Sequence, residues 1–147
     1  MYLQAIKSTK IAPAIGPYSP GVKLGDFVYL SGQLGIDPYT GELVDGDIKA
    51  QTKQVMENIL TILKEIDLAA HHIVKTTVFM ADLAEFTQMN EVYASYFNEP
   101  YPARSTVQVA ALPKNAKIEI ECLVLDTLAY EQGGCDKCQE DCSTCGE

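Results

Sequence analysis

PARSTVQVAALPKNAKIEIECLVLD, residues 102–126, is the stretch on which the fold turns. Two runs of alternating, β-prone residues, about Arg104 to Ala110 and Lys117 to Thr127, flank a turn at Leu112-Pro113. Each run carries a charge, Arg104 in the first and Glu119 in the second, within segments that otherwise suit a sheet interior. An unpaired buried ion is costly, so a chain keeps one for a binding site or for a structural ion pair. In the second run Ile118, Ile120, Cys122 and Val124 share one face, while Glu119, Glu121, Leu123 and Leu125 share the other.

Upstream, the apolar period switches between 2 and 3.6. Gly21 to Leu24 and Asp26 to Gln33 read as a hairpin across Gly25-Asp26. Asp47 is an N-cap for a helix reaching about Asp67, because Val55, Met56, Ile59, Leu60, Leu63 and Ile66 recur at helical spacing. His72 to Met80 is a β-branched strand. Asp82 caps a second helix bearing Phe86, Met89, Tyr93, Tyr96 and Phe97, which Pro100 and Pro102 end. The order β-β-α-β-α-β-β predicts an α+β fold, a single mixed β-sheet with two helices packed on one face and right-handed crossovers. In the Phe27 to Gln33 strand, Val28, Leu30 and Leu34 share one face and Phe27, Tyr29, Ser31 and Gln33 the other, and both faces read as partly buried. In the last strand Ile118, Ile120, Cys122 and Val124 point toward the helices, and the opposite set of Glu119, Glu121, Leu123 and Leu125 is half apolar yet has no third helix to cover it, which points to another subunit.

A chain of 147 residues with 47% hydrophobic content suits one domain. Its net charge of -9 repels phosphate backbones and anionic membranes, so nucleic acid and membrane are not expected partners. No apolar run approaches a membrane span, and Met1 to Lys10 lacks the apolar block of a signal peptide, so a soluble, cytoplasmic protein is expected. The domain is expected over residues 1–130, with 131–147 an acidic cysteine-rich tail that holds five acids against one base. Cys135, Cys138, Cys142 and Cys145 in that tail offer four thiolates to zinc or another thiophilic metal. Their central gap of three residues is short for a zinc module. Reduced thiols and reversible disulfides are the alternatives.

Gly16-Pro17-Tyr18-Ser19-Pro20, Leu30-Ser31-Gly32-Gln33, Asn90, Pro102-Ala103-Arg104-Ser105, Leu112-Pro113 and Ile118-Glu119-Ile120, in that order, resemble the reactive intermediate deaminase family, also called Rid or YjgF. The likeness runs from about Ala5 to Leu128. It implies a fold similar to the small trimeric chorismate mutases, a homotrimer, and ligand clefts between subunits. It also implies hydrolysis of the enamines and imines released by pyridoxal-phosphate dehydratases, such as 2-aminoacrylate, 2-iminobutanoate and 2-iminopropanoate, to 2-oxo acids and ammonia. Under that resemblance Arg104 clamps the substrate carboxylate and Glu119 positions water and shuttles a proton. Tyr18, Ser31, Gly32, Asn90 and Thr106 line the cleft, and no cofactor is needed for catalysis. Some members carry a cysteine where this chain has Thr106, so thiol chemistry at that position is absent here.

Each residue has a plainer role to set against this one. Arg104 and Glu119 could form an ion pair across adjacent strands. Asn90 could tie a loop, Tyr18 could pack a turn, and Ser31-Gly32 could allow close strand approach. His71 and His72 read as a solvated loop pair. Two other function classes also fit the residues: a noncatalytic module binding 2-oxo acids, and an RNA-directed activity of the endoribonuclease or translation-inhibitor kind. The charge and the lack of a basic stripe disfavour the latter.

Overall fold

Gly25 and Asp26 close the first hairpin, with Gly25 supplying the left-handed backbone, φ 59°, that its turn requires. The strands it joins, β2 (Gly21–Leu24) and β3 (Phe27–Leu34), belong to one sheet with β1 (Gln4–Ile6), β4 (Ile73–Met80), β5 (Ala103–Gln108) and β6 (Ile118–Leu125). The computed structural model describes residues 2–131 and orders the six strands β1-β2-β3-β6-β4-β5. Only β4 and β5 pair in parallel, so the sheet is mixed, as the alternation of helix and strand implies. The three-residue β1 is an addition that a period-2 pattern is too short to reveal. The four tail cysteines lie outside the described residues, and α3 (Leu128–Glu131) is the last described element.

Helix α1 spans Ile48–Lys64, capped by Asp47, whose carboxylate accepts from Ala50 N at 3.0 Å. Its buried face of Val55, Met56, Ile59, Ile62 and Leu63 packs on Val28, Leu30, Ile118, Ile120, Cys122 and Val124. Two buried amides on the same helix place the strand ends. Asn58 donates to Leu34 O (3.1 Å) and Ile36 O (2.9 Å), and Gln51 accepts from Lys117 N (2.8 Å) at the entry to β6. Helix α2 spans Phe86–Ala94. Asp82 caps the 3₁₀ turn Leu83–Glu85 that leads into it rather than the helix itself, and α2 ends at Ala94, well ahead of the prolines. Among the described residues, no helix is long and apolar enough to cross a membrane.

Two facings differ from the simple alternation. A bulge sets two residues of β3, Ser31 and Gly32, against one of β6, Glu121, between the Leu30–Cys122 and Gln33–Ile120 pairs. Beyond it Gln33 pairs with Ile120 on the helix side, and Leu34 pairs with Glu119 on the open side, which inverts the expected facing of both. His72 is 4% exposed, not half of a solvated pair; only His71 remains outside. The open face is apolar over much of its area: Phe27 is 51% exposed, Tyr29 49% and Val107 43%, with Leu123 and Leu125 half-buried beside them. The edge strand β5 carries an unpaired backbone edge next to this face.

Candidate active site

The bulge in β3 and the first residues of β6 form the floor of a cavity of about 620 Å3, whose lining includes Tyr18, Ser31, Gly32, Leu34, Lys114 and Glu119. Ser31 anchors the loop above it: its Oγ donates to Ser19 O at 2.7 Å and its N–H to Pro20 O at 2.9 Å. Tyr18, on that loop, is half exposed at the rim. Gly32 has a steric reason to lack a side chain, because a Cβ there would lie 2.8 Å from Glu119 Cδ and 3.0 Å from its Cγ. The Glu119 carboxyl therefore lies directly over the Gly32 backbone.

Across the sheet, the row containing Glu119 runs Leu34, Glu119, Phe79, Val107. With apolar neighbours on both sides, burial pushes the Glu119 carboxyl above the usual carboxylate range, and the charge of Glu121 on the same face adds to the rise. A carboxyl raised in this way is a better proton acceptor than an ordinary carboxylate and can return the proton it takes.

Arg104 stands elsewhere. Its row runs Leu30, Cys122, Thr76, Arg104 and faces the helices, the opposite face of the sheet from Glu119. Its guanidinium lies 4.7 Å from the Tyr93 ring and 5.5 Å from the Phe86 ring, and Nη1 donates to Asn90 Oδ1 at 2.7 Å. Thr76 Oγ1 and Tyr93 OH, 2.8 Å apart, fix that ring in place. Thr106, two residues along β5 on the same face, has a buried Oγ1 with no hydrogen-bond partner. An ion pair between adjacent strands is excluded, because β4 lies between β5 and β6 and the two charges point to opposite sides.

The residues singled out in the sequence thus form two groups on one chain. Tyr18, Ser31, Gly32 and Glu119 meet in the cavity; Asn90, Arg104 and Thr106 gather at the β5 edge beneath α2. Lys114 was not among the residues read from the sequence. It sits at the cavity mouth on left-handed backbone (φ 56°), with Nζ 3.2 Å from both Gly41 O and Glu42 Oε2. Pro113-Lys114-Asn115 announces a turn, but nothing local says that the turn overhangs a cavity.

The chain matches the family described as Endoribonuclease L-PSP over residues 9–125. It is 53% identical over 119 residues to Reactive Intermediate Deaminase A, chloroplastic, of Arabidopsis thaliana, covering 80% of this chain and 64% of that protein. It is 43% identical over 122 residues to 2-iminobutanoate/2-iminopropanoate deaminase of Homo sapiens, covering 83% and 89% of the two chains. Among solved structures, RidA from an Antarctic Psychrobacter superposes with a TM-score of 0.80 at 48% identity, covering 83% of this chain and 98% of that one.

Proposed function

This chain belongs to the Endoribonuclease L-PSP family, and on that premise we propose that it hydrolyses small 2-imino acids and their enamine tautomers to 2-oxo acids and ammonia. The observation that carries the reading is the Glu119 carboxyl, raised in pKa by burial and seated on Gly32 in a cavity large enough for such an acid. The names borne by the relatives from Arabidopsis and Homo sapiens agree with it.

In this reading water adds to the carbon of the protonated imine while Glu119 takes one of its protons, giving a neutral tetrahedral carbinolamine. Glu119 then returns that proton to nitrogen, the C–N bond breaks as the hydroxyl oxygen becomes the carbonyl of the 2-oxo acid, and the hydroxyl proton passes through Glu119 to the departing ammonia. The imine is already electrophilic, so orientation and exclusion of bulk water supply most of the acceleration, and no cofactor enters the reaction. Arg104 grips the substrate carboxylate through two parallel hydrogen bonds. One chain holds the clamp and the acid on opposite faces, so the complete site takes Tyr18, Ser31, Gly32 and Glu119 from one subunit and Asn90, Arg104 and Thr106 from the next. An assembly that lays the β5 edge of one chain against the open face of another would also cover Phe27, Tyr29 and Val107. A homotrimer is the assembly we propose.

Light scattering should therefore return about three times the 16.1 kDa chain mass. A stable monomer that still turns over substrate would refute the shared site. Gly32→Ala should preserve the fold and the assembly while its methyl displaces the Glu119 carboxyl, lowering turnover roughly 10- to 100-fold; turnover and melting temperature on one sample check this. The primary test of function is a coupled assay, a threonine dehydratase with and without this protein, following loss of 2-iminobutanoate. Binding of 2-oxobutanoate without any acceleration would instead make the chain a noncatalytic module. The family description also raises an RNA-directed activity, which the net charge of -9 opposes. Salt-dependent RNA binding would reopen that reading.

A further inference from the structure

At the far end of β6, roughly 20 Å along the strand from Glu119, a second cluster of chemically active side chains gathers away from the cavity. The 3₁₀ turn Ala70–His72 presents His71 and His72 together, their ring centroids 4.0 Å apart. The last turn of the described chain brings Glu131 against them. One ligand atom from each of the three lies within 4.8 Å of the others. Chain order separates Glu131 from the histidines by 58 residues, so the fold, not sequence proximity, makes the cluster.

His72 is the informative member. Its side chain is only 2% exposed, and its enclosed Nε2 makes no hydrogen bond. Glu131 Oε1 stands 3.2 Å from that nitrogen, outside hydrogen-bond alignment. A buried ring nitrogen left without a partner is uncommon. Ligand atoms held at 2.0–2.1 Å around a tetrahedral ion stand about 3.3 Å from one another, a separation that this pair already has. On the other side of the ring, Nδ1 lies 3.0 Å from Ala69 N and 3.3 Å from Ala69 O. The ring can therefore accept from the amide when Nε2 carries the proton, or donate to the carbonyl when Nε2 offers its lone pair. A backbone carbonyl on the outer nitrogen is a common way to fix a ligating histidine. Glu131 is held by Thr127 Oγ1, which donates to its Oε1.

We propose that His71, His72 and Glu131 bind one first-row divalent cation of the zinc class, at a site separate from the cavity and independent of imine hydrolysis. Two imidazoles and one carboxylate are a donor set suited to such ions, and it leaves a fourth position for water or another donor. The site joins the start of β4 to the end of α3, and so fastens the base of the acidic tail to the sheet.

The test must separate this site from the four tail thiols. The full chain carrying Cys135→Ser, Cys138→Ser, Cys142→Ser and Cys145→Ser is titrated with zinc by calorimetry and with cobalt(II) by visible absorption. It should bind one ion per chain, show cobalt d–d bands without a thiolate charge-transfer band, and melt at a higher temperature with zinc. Adding His71→Ala or Glu131→Ala, both exposed positions, should weaken zinc binding at least about 100-fold and remove the thermal shift. A serine-substituted chain that binds no zinc overturns the proposal and leaves only a His72–Glu131 contact. So does zinc affinity that survives both alanine substitutions.

Discussion

Arg104→Ala is expected to lower kcat/KM for 2-iminobutanoate roughly 30- to 1000-fold, the equivalent of about 2 to 4 kcal/mol of lost transition-state binding. Asn90 Oδ1 takes one Nη1 proton and the Phe86 and Tyr93 rings hold the plane, so the guanidinium is oriented before substrate arrives, and among the described residues nothing else accepts from its remaining N–H groups. A carboxylate matched to that fork loses two charge-assisted bonds at once in the alanine protein. Arg104→Lys restores the charge but not the fork and should recover little of the rate. The structural contribution is separable. Removing the guanidinium frees the Asn90 amide and empties the space beside two rings, which should cost on the order of 1 kcal/mol of stability. Rate, melting temperature and assembly mass measured on the same preparation decide the matter. A loss of activity that only tracks dissociation makes Arg104 structural, and an alanine protein turning over at the parent rate refutes the clamp.

Much of this was legible in the sequence because periodicity reports facing. The α1 apolar positions, the Asp47 cap, the inward set Ile118, Ile120, Cys122 and Val124, and the open face left by two helices all follow from spacing alone. What spacing could not show depends on register between distant segments. The β3 bulge that turns Leu34 toward Glu119 exists only relative to β6. That Arg104 and Glu119 face opposite sides follows from the registers of β4 with β5 and with β6, and no local pattern in residues 102–126 encodes it. His72 reads as a loop residue because Glu131, which stands against its ring, lies at the far end of the described chain. Lys114 lines the cavity only because the fold brings its turn over the β3 bulge, a placement that no local pattern encodes.

Glu119→Gln should reduce turnover by about 10²- to 10⁴-fold, because the amide keeps the size and hydrogen bonding of the side chain but cannot exchange a proton. Binding of a 2-oxo acid product should survive, which places the loss in kcat rather than in KM. The pH dependence sharpens this. Burial, then Glu121, raises the Glu119 pKa, so the carboxylate that serves as base accumulates only above the usual carboxylate range. The parent rate should therefore rise with pH through that raised value, and the rise should be missing from the residual rate of the glutamine protein. Stability should move the other way. An acid whose pKa is higher in the folded chain than in the unfolded one binds more protons when folded, so the parent loses stability as pH rises from the unfolded value through the folded one. Glutamine carries no charge to desolvate and none to oppose Glu121. The substituted chain should thus match or exceed the parent in melting temperature at neutral pH while losing turnover. A residue that only braced the fold would show both quantities falling together, and that result would remove Glu119 from the reaction.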